Sequence, residues 1–489
     1  MAYKDLREYL ARLEEEGEIQ RIEKEVDWNL EIGAIIRRAL DLSAPAPFFQ
    51  KIVGSPPGYR LLASLNGTGA TPGRPYARVA ISLGLSPNLP AAELVKRYHS
   101  VMERDPIKPV LVPQGPCQEE IYTGEDIDLY RFPTPFFHEG DGGRYIGTWH
   151  TCISKDPDTG KVNWGMYRVM IHDKKTLVIY WHTPQQHMYI HYEKYKAMNR
   201  PMPFAIAIGT EPITPLFAGG RIPLGVEEPD IIGGVLGEPL ELVKAKTVDL
   251  EVPATAEIVI EGEVSLNETA FEGPFAEVLG YISPASRGER PISKVTAITH
   301  RHDPILVCTN PGPPPSDSYT KTSIEVSANI LRYLKNQGLP VEMAFVPLET
   351  SIRMVLVSSK VPFRNYAKHL AIILWGIWGG KDRPPYLAVY NEDIDVTNFG
   401  QAMWALTTRC NPAKDIHIIK DLPGMALYPF LSKEERAKQT GGACTLFDCT
   451  WPFDWPKEDI PRMGSFRGVY PKEIQEMVLK NWSAYGFKM

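Results

Sequence analysis

Cysteine is scarce in this chain and never paired at short spacing. Cys117, Cys152, Cys308, Cys410, Cys444 and Cys449 are scattered through 489 residues with no CxxC. Neither a disulfide framework nor a zinc ribbon is expected, and the thiols read as reduced core residues. Long apolar runs are missing too: the longest, residues 370–378, spans nine positions, less than half of the roughly 20 a membrane helix needs, and reads as a buried segment. The opening Met1-Ala-Tyr-Lys-Asp-Leu-Arg-Glu8 is charged and lacks the apolar core of a signal peptide, which predicts a cytoplasmic protein with no membrane partner. A basic face is also lacking. The net charge is −6 and the densest basic stretches are as short as Lys174-Lys175, which argues against nucleic acid as a partner. No internal repeat, low-complexity tract or G-x-G-x-x-G fingerprint after a strand is found.

What is present is the composition of an ordinary globular protein, 23% charged and 43% hydrophobic, in a chain long enough for two or three domains. Leu6, Tyr9, Leu10 and Leu13 recur at helical spacing and predict an amphipathic helix ending near Gly17. Further helices are expected over residues 30–40 and 91–102, giving a small α/β domain over residues 1–112, followed by a linker at Pro113-Gln-Gly-Pro116. From about Ile146, short β-forming runs at 177–180, 204–208 and 256–264 predict a barrel or packed sheet within residues 113–318, with a proline-rich loop at 310–317. Beyond it, helices over 323–334 and 364–376 alternate with strands over 341–346, 354–357 and 386–390. This predicts a second α/β domain over residues 319–489. A last helical pattern at 473–482 packs on the body or on a neighbour. The fold class is α/β (α+β).

Glu272 and Glu277 are the most informative pair. Five residues apart, they face opposite ways on a strand and stand about 140° apart on a helix. Gly273-Pro274 between them makes a turn, in which glycine permits unusual dihedrals and proline fixes one. Such a bend brings two carboxylates round one point in unequal environments, the arrangement that sets a proton donor beside a permanent anion. A surface hairpin with two solvated acids is the plain alternative.

In Asn163-Trp-Gly-Met-Tyr-Arg168, placed on or beside a strand, the spacing sets Asn163 and Arg168 on opposite faces unless a bulge intervenes. Asn163, His187 and Glu228 together offer an amide oxygen, an imidazole and a carboxylate, a mixed hard set suited to Mn²⁺ or Mg²⁺ rather than structural zinc. No local spacing ties the three, so ordinary structural roles stand beside the metal reading.

The motifs Asn163-Trp-Gly-Met-Tyr-Arg168, Pro184-Gln-Gln-His187, Ile222-Pro-Leu-Gly-Val-Glu-Glu228, Val252-Pro-Ala-Thr-Ala-Glu-Ile-Val-Ile-Glu-Gly262, Phe271-Glu-Gly-Pro-Phe-Ala-Glu277 and Glu392-Asp-Ile-Asp395 resemble, in that order, those of the UbiD family of reversible (de)carboxylases. The resemblance covers nearly the whole chain. It implies a central split β-barrel domain, related to flavin reductases, that binds prenylated FMN, flanked by an N-terminal α/β domain and a C-terminal α/β oligomerisation domain. It further implies Asn163, His187 and Glu228 as ligands of a divalent ion that, with a nearby K⁺, holds the cofactor phosphate. Trp164, Arg168, Gln186 and Lys381 are implied as further cofactor contacts, and Arg168, Glu272 and Glu277 as the catalytic network.

On that resemblance the cofactor's electrophilic ylide binds the carbon bearing the carboxylate, CO₂ leaves, and Glu277 donates the proton. Arg168 grips the carboxylate and keeps Glu272 ionised. Expected partners are an aromatic or α,β-unsaturated acid, polycyclic acids and aryl thioesters included, together with CO₂, a flavin prenyltransferase as cofactor supplier, and further copies of the chain in a homo-dimer or homo-hexamer. The competing readings are an FMN oxidoreductase on a similar barrel and a non-catalytic subunit of a multi-component carboxylase.

Overall fold

The computed structural model of the chain describes residues 3–181, 186–220, 222–277, 279–283, 286–377 and 383–487. The first helix, Leu6–Glu15, begins where the Asp5 side chain accepts the Glu8 backbone N–H at 2.9 Å, satisfying one of the donors a helix start leaves open. Its apolar stripe, Leu6, Tyr9, Leu10 and Leu13, is buried as the spacing predicts. Helices Glu31–Asp41 and Ala91–Met102 also form where expected. Strands Ile19–Ile22, Ala46–Phe49 and Arg60–Ala63 make a small sheet beside them, and its fourth strand, Ile305–Cys308, arrives from far along the chain to pair in parallel with Arg60–Ala63.

The centre is a nine-stranded sheet. Its path runs Tyr145–Gly147, Val169–Ile171, Thr176–Ile179, Gly288–His300, Ile258–Glu272, Met202–Ile208, His150–Lys155, Val162–Gly165, with Glu120–Thr123 attached to Gly288–His300. Among the described residues the two ends of this path do not pair, so the strands form an open sheet where a closed barrel is one expectation. One edge of Gly288–His300 is shared, Ile292–Lys294 taking Thr176–Val178 and Ala297–His300 taking Glu120–Thr123. Its other edge carries the long strand Ile258–Glu272, with register shifts between Glu261 and Gly262 and between Val264 and Thr269. A smaller sheet joins Val110–Leu111, Glu241–Lys244 and Glu251–Pro253.

The 20-residue helix Asp317–Asn336 leads into a five-stranded sheet in the order Val341–Phe345, Met354–Ser359, Tyr386–Asn391, Gly442–Cys449, Ile416–Leu422. This helix starts six residues before the expected 323, because buried Asp317 at its first turn ties it to Asn66 N and to the Thr309 hydroxyl, contacts no helical periodicity reports. All six cysteines are unpaired and buried. Among the described residues no helix is long and apolar enough to cross a membrane.

Candidate active site

The strand Ile258–Glu272 stops at a turn that only its own chemistry explains. Gly273 has φ +79°, and a Cβ there would lie 3.0 Å from Ser286 O and 3.3 Å from an Arg168 guanidinium nitrogen, so both the dihedral and the space demand glycine. Pro274 then has no N–H to continue a ladder, while its carbonyl accepts the Gly142 N–H at 2.7 Å. Glu272, last on the strand, is wholly buried, and Glu277 beyond the turn has a side chain 14% exposed. The solvated-hairpin alternative is therefore wrong.

Arg168 joins the two. Its Nε and Nη2 donate to Glu272 Oε1 and Oε2 at 2.8 and 2.9 Å, and its Nη1 donates to Glu277 Oε1 at 2.7 Å. Arg168 is not on a strand: Val162–Gly165 ends three residues before it and Val169–Ile171 begins after it. The expected bulge is a complete break in the ladder, and it is this break that lets the guanidinium reach the glutamates. Burial works against the charge on Arg168, yet hydrogen bonding and the charge of Glu272, with Glu277 beside it, raise its pKa above the ordinary value. The guanidinium also lies over the Tyr180 ring at 4.0 Å, a cation–π contact.

Tyr145, fully buried, has no counterpart among the residues singled out from sequence. Its hydroxyl donates to Glu272 Oε1 at 2.9 Å and its ring stacks on Phe275 at 3.8 Å, so one side chain holds both the carboxylate and the turn that follows it. Burial, with the negative charge of Glu272 next, raises the Tyr145 pKa, which keeps it a donor. Nothing in Gly142-Gly-Arg-Tyr145 distinguishes this tyrosine from a core aromatic; Phe275, inside the Glu-Gly-Pro-Phe motif, was nearer to detection. The carboxylates are thus unequal. Glu272 is gripped by three hydrogen bonds from Arg168 and Tyr145, and Glu277 by one among the described residues.

Arg168 and Glu277 open onto a cavity of about 160 Å³, also lined by Thr148, His150, Met166, Phe275, Thr309 and Tyr319. His150 is buried and donates from Nε2 to the Tyr167 carbonyl at 3.0 Å; burial lowers its pKa to about 4, so it stays neutral.

The other expected group converges in part. Asn163 lies on Val162–Gly165, and its Oδ1 is 3.2 Å from Nδ1 of His187, the first residue of helix His187–Ala197. Glu228 opens helix Glu228–Leu236, is 2% exposed, and accepts the backbone N–H of Trp164, the residue after Asn163, at 3.0 Å. Burial pushes the Glu228 carboxyl up to about 7 and lowers the His187 pKa. A buried carboxylate with no cation beside it among the described residues fits a site completed by a hard divalent ion, whereas the buried Asn163 amide nitrogen, a donor with no partner there, calls for an acceptor oxygen beside that ion. Trp164 is buried, and Gln186 precedes the helix of His187. Lys381 lies outside the described residues.

Three sequence profiles match the chain: those of the 3-octaprenyl-4-hydroxybenzoate carboxy-lyase N-terminal domain at residues 10–98, its Rift-related domain at 109–314 and its C-terminal domain at 322–449. The chain belongs to the UbiD family. Among curated UbiD relatives, the pyrrole-2-carboxylic acid decarboxylase of Pseudomonas aeruginosa is 36% identical, the alignment covering 99% of this chain and 98% of that one. Ferulic acid decarboxylase 1 of Saccharomyces cerevisiae is 31% identical over 99% and 98%. Solved structures of similar shape include vanillic acid decarboxylase from Sedimentibacter hydroxybenzoicus in open form, with TM-score 0.83, 29% identity and 99% of each chain covered. A UbiD-class enzyme from Pelotomaculum thermopropionicum in complex with FMN matches with TM-score 0.83 and 29% identity, covering 98% of this chain and 100% of that one.

Proposed function

We propose that this UbiD-family protein catalyses the reversible, non-oxidative decarboxylation of an aromatic or α,β-unsaturated carboxylic acid with prenylated FMN as cofactor. The observation that carries this reading is Arg168 bridging two unequal carboxylates at the edge of a cavity. When bound, prenylated FMN supplies an electrophilic centre that accepts the electron pair left on carbon as CO₂ departs. Asn163, His187 and Glu228 would hold a divalent ion, Mn²⁺ or Mg²⁺, which with K⁺ would supply the positive charge to neutralise the cofactor phosphate, and Trp164 and Gln186 would lie around the cofactor.

The chain's own residues do the rest. Arg168 has five N–H donors and spends three on the glutamates, so a substrate carboxylate can take the Nη1 position that Glu277 occupies. Glu272 does not yield, because two guanidinium bonds and the Tyr145 hydroxyl hold it, and it keeps Arg168 in place for the incoming anion. Released from Arg168, Glu277 takes up a proton on its carboxylate and delivers it to the carbon that has lost CO₂. The C–C bond to the carboxylate breaks, a C–H bond forms, and charge balances; the reverse order gives carboxylation. Phe275 and Tyr319 in the cavity wall favour a planar, apolar substrate body.

On this reading residues 113–318 form the split-barrel flavin domain, between an N-terminal domain at 1–112 and an oligomerisation domain at 319–489 that builds a homo-dimer or homo-hexamer in the cytoplasm. The test is co-expression with a flavin prenyltransferase, purification without oxygen, and a screen of aromatic and unsaturated acids for ¹³CO₂ exchange, which detects substrates even where net decarboxylation is unfavourable. Exchange with at least one acid is expected, and none with any acid by a protein carrying the prenylated flavin would overturn the reading.

A further inference from the structure

The wall of the cavity facing Arg168 and Glu277 comes from the loop between strand Ile305–Cys308 and helix Asp317–Asn336, through Thr309, Pro311, Gly312 and Ser316. This loop contains Pro311, Pro313, Pro314 and Pro315. Four residues without an N–H cannot hold a loop by its own backbone bonds, and their carbonyls must find donors elsewhere.

The donors come from the N-terminal helix Glu31–Asp41. Arg37 Nη1 donates to Pro313 O at 3.0 Å and Nη2 to Pro315 O at 2.8 Å, while its Nε is fixed by Asp41 Oδ1 at 2.9 Å. One turn earlier on that helix, the Gly33 carbonyl accepts from Asn310 Nδ2 at 2.8 Å. Gly280 meets the same loop: its N–H donates to the Glu277 carbonyl at 2.8 Å, and it packs so tightly that a Cβ there would lie 2.8 Å from Pro313. The proline loop thus touches both the N-terminal helix and the turn that carries Glu277. A forked, permanently charged guanidinium is the side chain able to hold two carbonyls at once.

We propose that Arg37 is a positioning residue for the substrate cavity: by holding the Pro313 and Pro315 carbonyls it presses the proline loop against the Glu277 turn and sets the width of the slot that accepts a planar acid. The proposal rests on the decarboxylase reading given above. Arg37 touches no reacting atom. Its effect falls on how the acid is bound and oriented, which is the part of the N-terminal helix in the reaction.

The experiment compares the wild-type holoenzyme, co-expressed with a flavin prenyltransferase, with Arg37→Ala and Arg37→Lys. Hydrogen–deuterium exchange over residues 308–319 is expected to rise about tenfold in Arg37→Ala, with exchange in helix Glu31–Asp41 and the flavin absorbance unchanged. For the acid that wild type exchanges best, KM should rise about tenfold while kcat stays within about twofold, the signature of lost binding rather than lost chemistry. Arg37→Lys, which offers a point charge and reaches one carbonyl, should recover part of the loss, and added guanidinium should restore Arg37→Ala. Unchanged exchange in the loop, an unchanged KM, or a loss confined to flavin content and thermal stability would each overturn the proposal. If wild type exchanges no acid at all, the decarboxylase reading fails, and the deuterium measurement alone still decides whether Arg37 pins the loop.

Discussion

Glu211 offers a sharp test of how burial acts on this protein. It is 1% exposed, just ahead of helix Ile213–Ala218, where its Oε1 accepts the Thr214 N–H at 3.0 Å and the Thr214 hydroxyl, while its Oε2 is buried with no partner among the described residues. Burial raises its pKa from 4.5 to about 8. Between those values the folded protein keeps a proton that the unfolded chain has released. The protonated carboxyl therefore contributes stability that is complete below pH 4.5, declines by about 1.4 kcal/mol per pH unit, and is spent once the pH has passed about 8. Glu211→Gln removes the proton equilibrium and keeps the shape. Relative to wild type, the variant should gain about 3 kcal/mol between pH 5 and pH 7. With an unfolding entropy of about 2.1 cal/mol/K per residue, roughly 1 kcal/mol/K for this chain, that is a change of about 3 °C in the Tm difference. Scanning calorimetry of both proteins at pH 5, 6 and 7 reads it directly. A Tm difference that does not vary with pH would show that Glu211 is ionised in the folded protein and that burial does not hold its proton. The end of the same helix matters to the site, because the Ala218 carbonyl accepts the N–H of Met166 at 2.8 Å and Met166 lines the cavity.

Other predictions address the chemistry. Glu277→Gln should keep its flavin absorbance and lower the rate of CO₂ release by about 10³-fold, the scale of a lost general acid; retention of full activity would remove Glu277 from that role. Asn163→Ala and His187→Ala should each lower bound metal and flavin about tenfold or more, measured on the purified protein by elemental analysis and absorbance. Tyr145→Phe deletes a buried hydrogen bond to a carboxylate worth about 1.5–3 kcal/mol. It should slow CO₂ release by about ten- to a hundredfold at unchanged flavin content, and an unaltered rate would show that Arg168 holds Glu272 unaided.

The amphipathic helices were legible because their signal is local: Leu6, Tyr9, Leu10 and Leu13 bury the stripe that their spacing describes. The convergence of Glu272 and Glu277 was legible for a similar reason, since Gly273-Pro274 permits few other paths. Arg168 was legible as a residue type but not in its placement, which depends on the ladder breaking after Gly165. Tyr145 was hidden, because its importance comes from a carboxylate more than a hundred residues away. Glu277 shows a partial difference from expectation: the structure pairs it with Arg168, so on the proposed reaction it would serve as a donor only once a substrate carboxylate had taken its place there.

The strand Ile305–Cys308 has a practical consequence for anyone dividing this chain. All four of its residues are buried, and it completes a sheet whose other members lie within the first 63 residues. Expression of the chain from about residue 109 onward would leave Ile-Leu-Val-Cys as an unpaired apolar edge, the kind of segment that seeds aggregation. The N-terminal piece made alone would lack its last strand. The two pieces share one sheet, so a soluble split form is expected from mixing them and from neither piece alone.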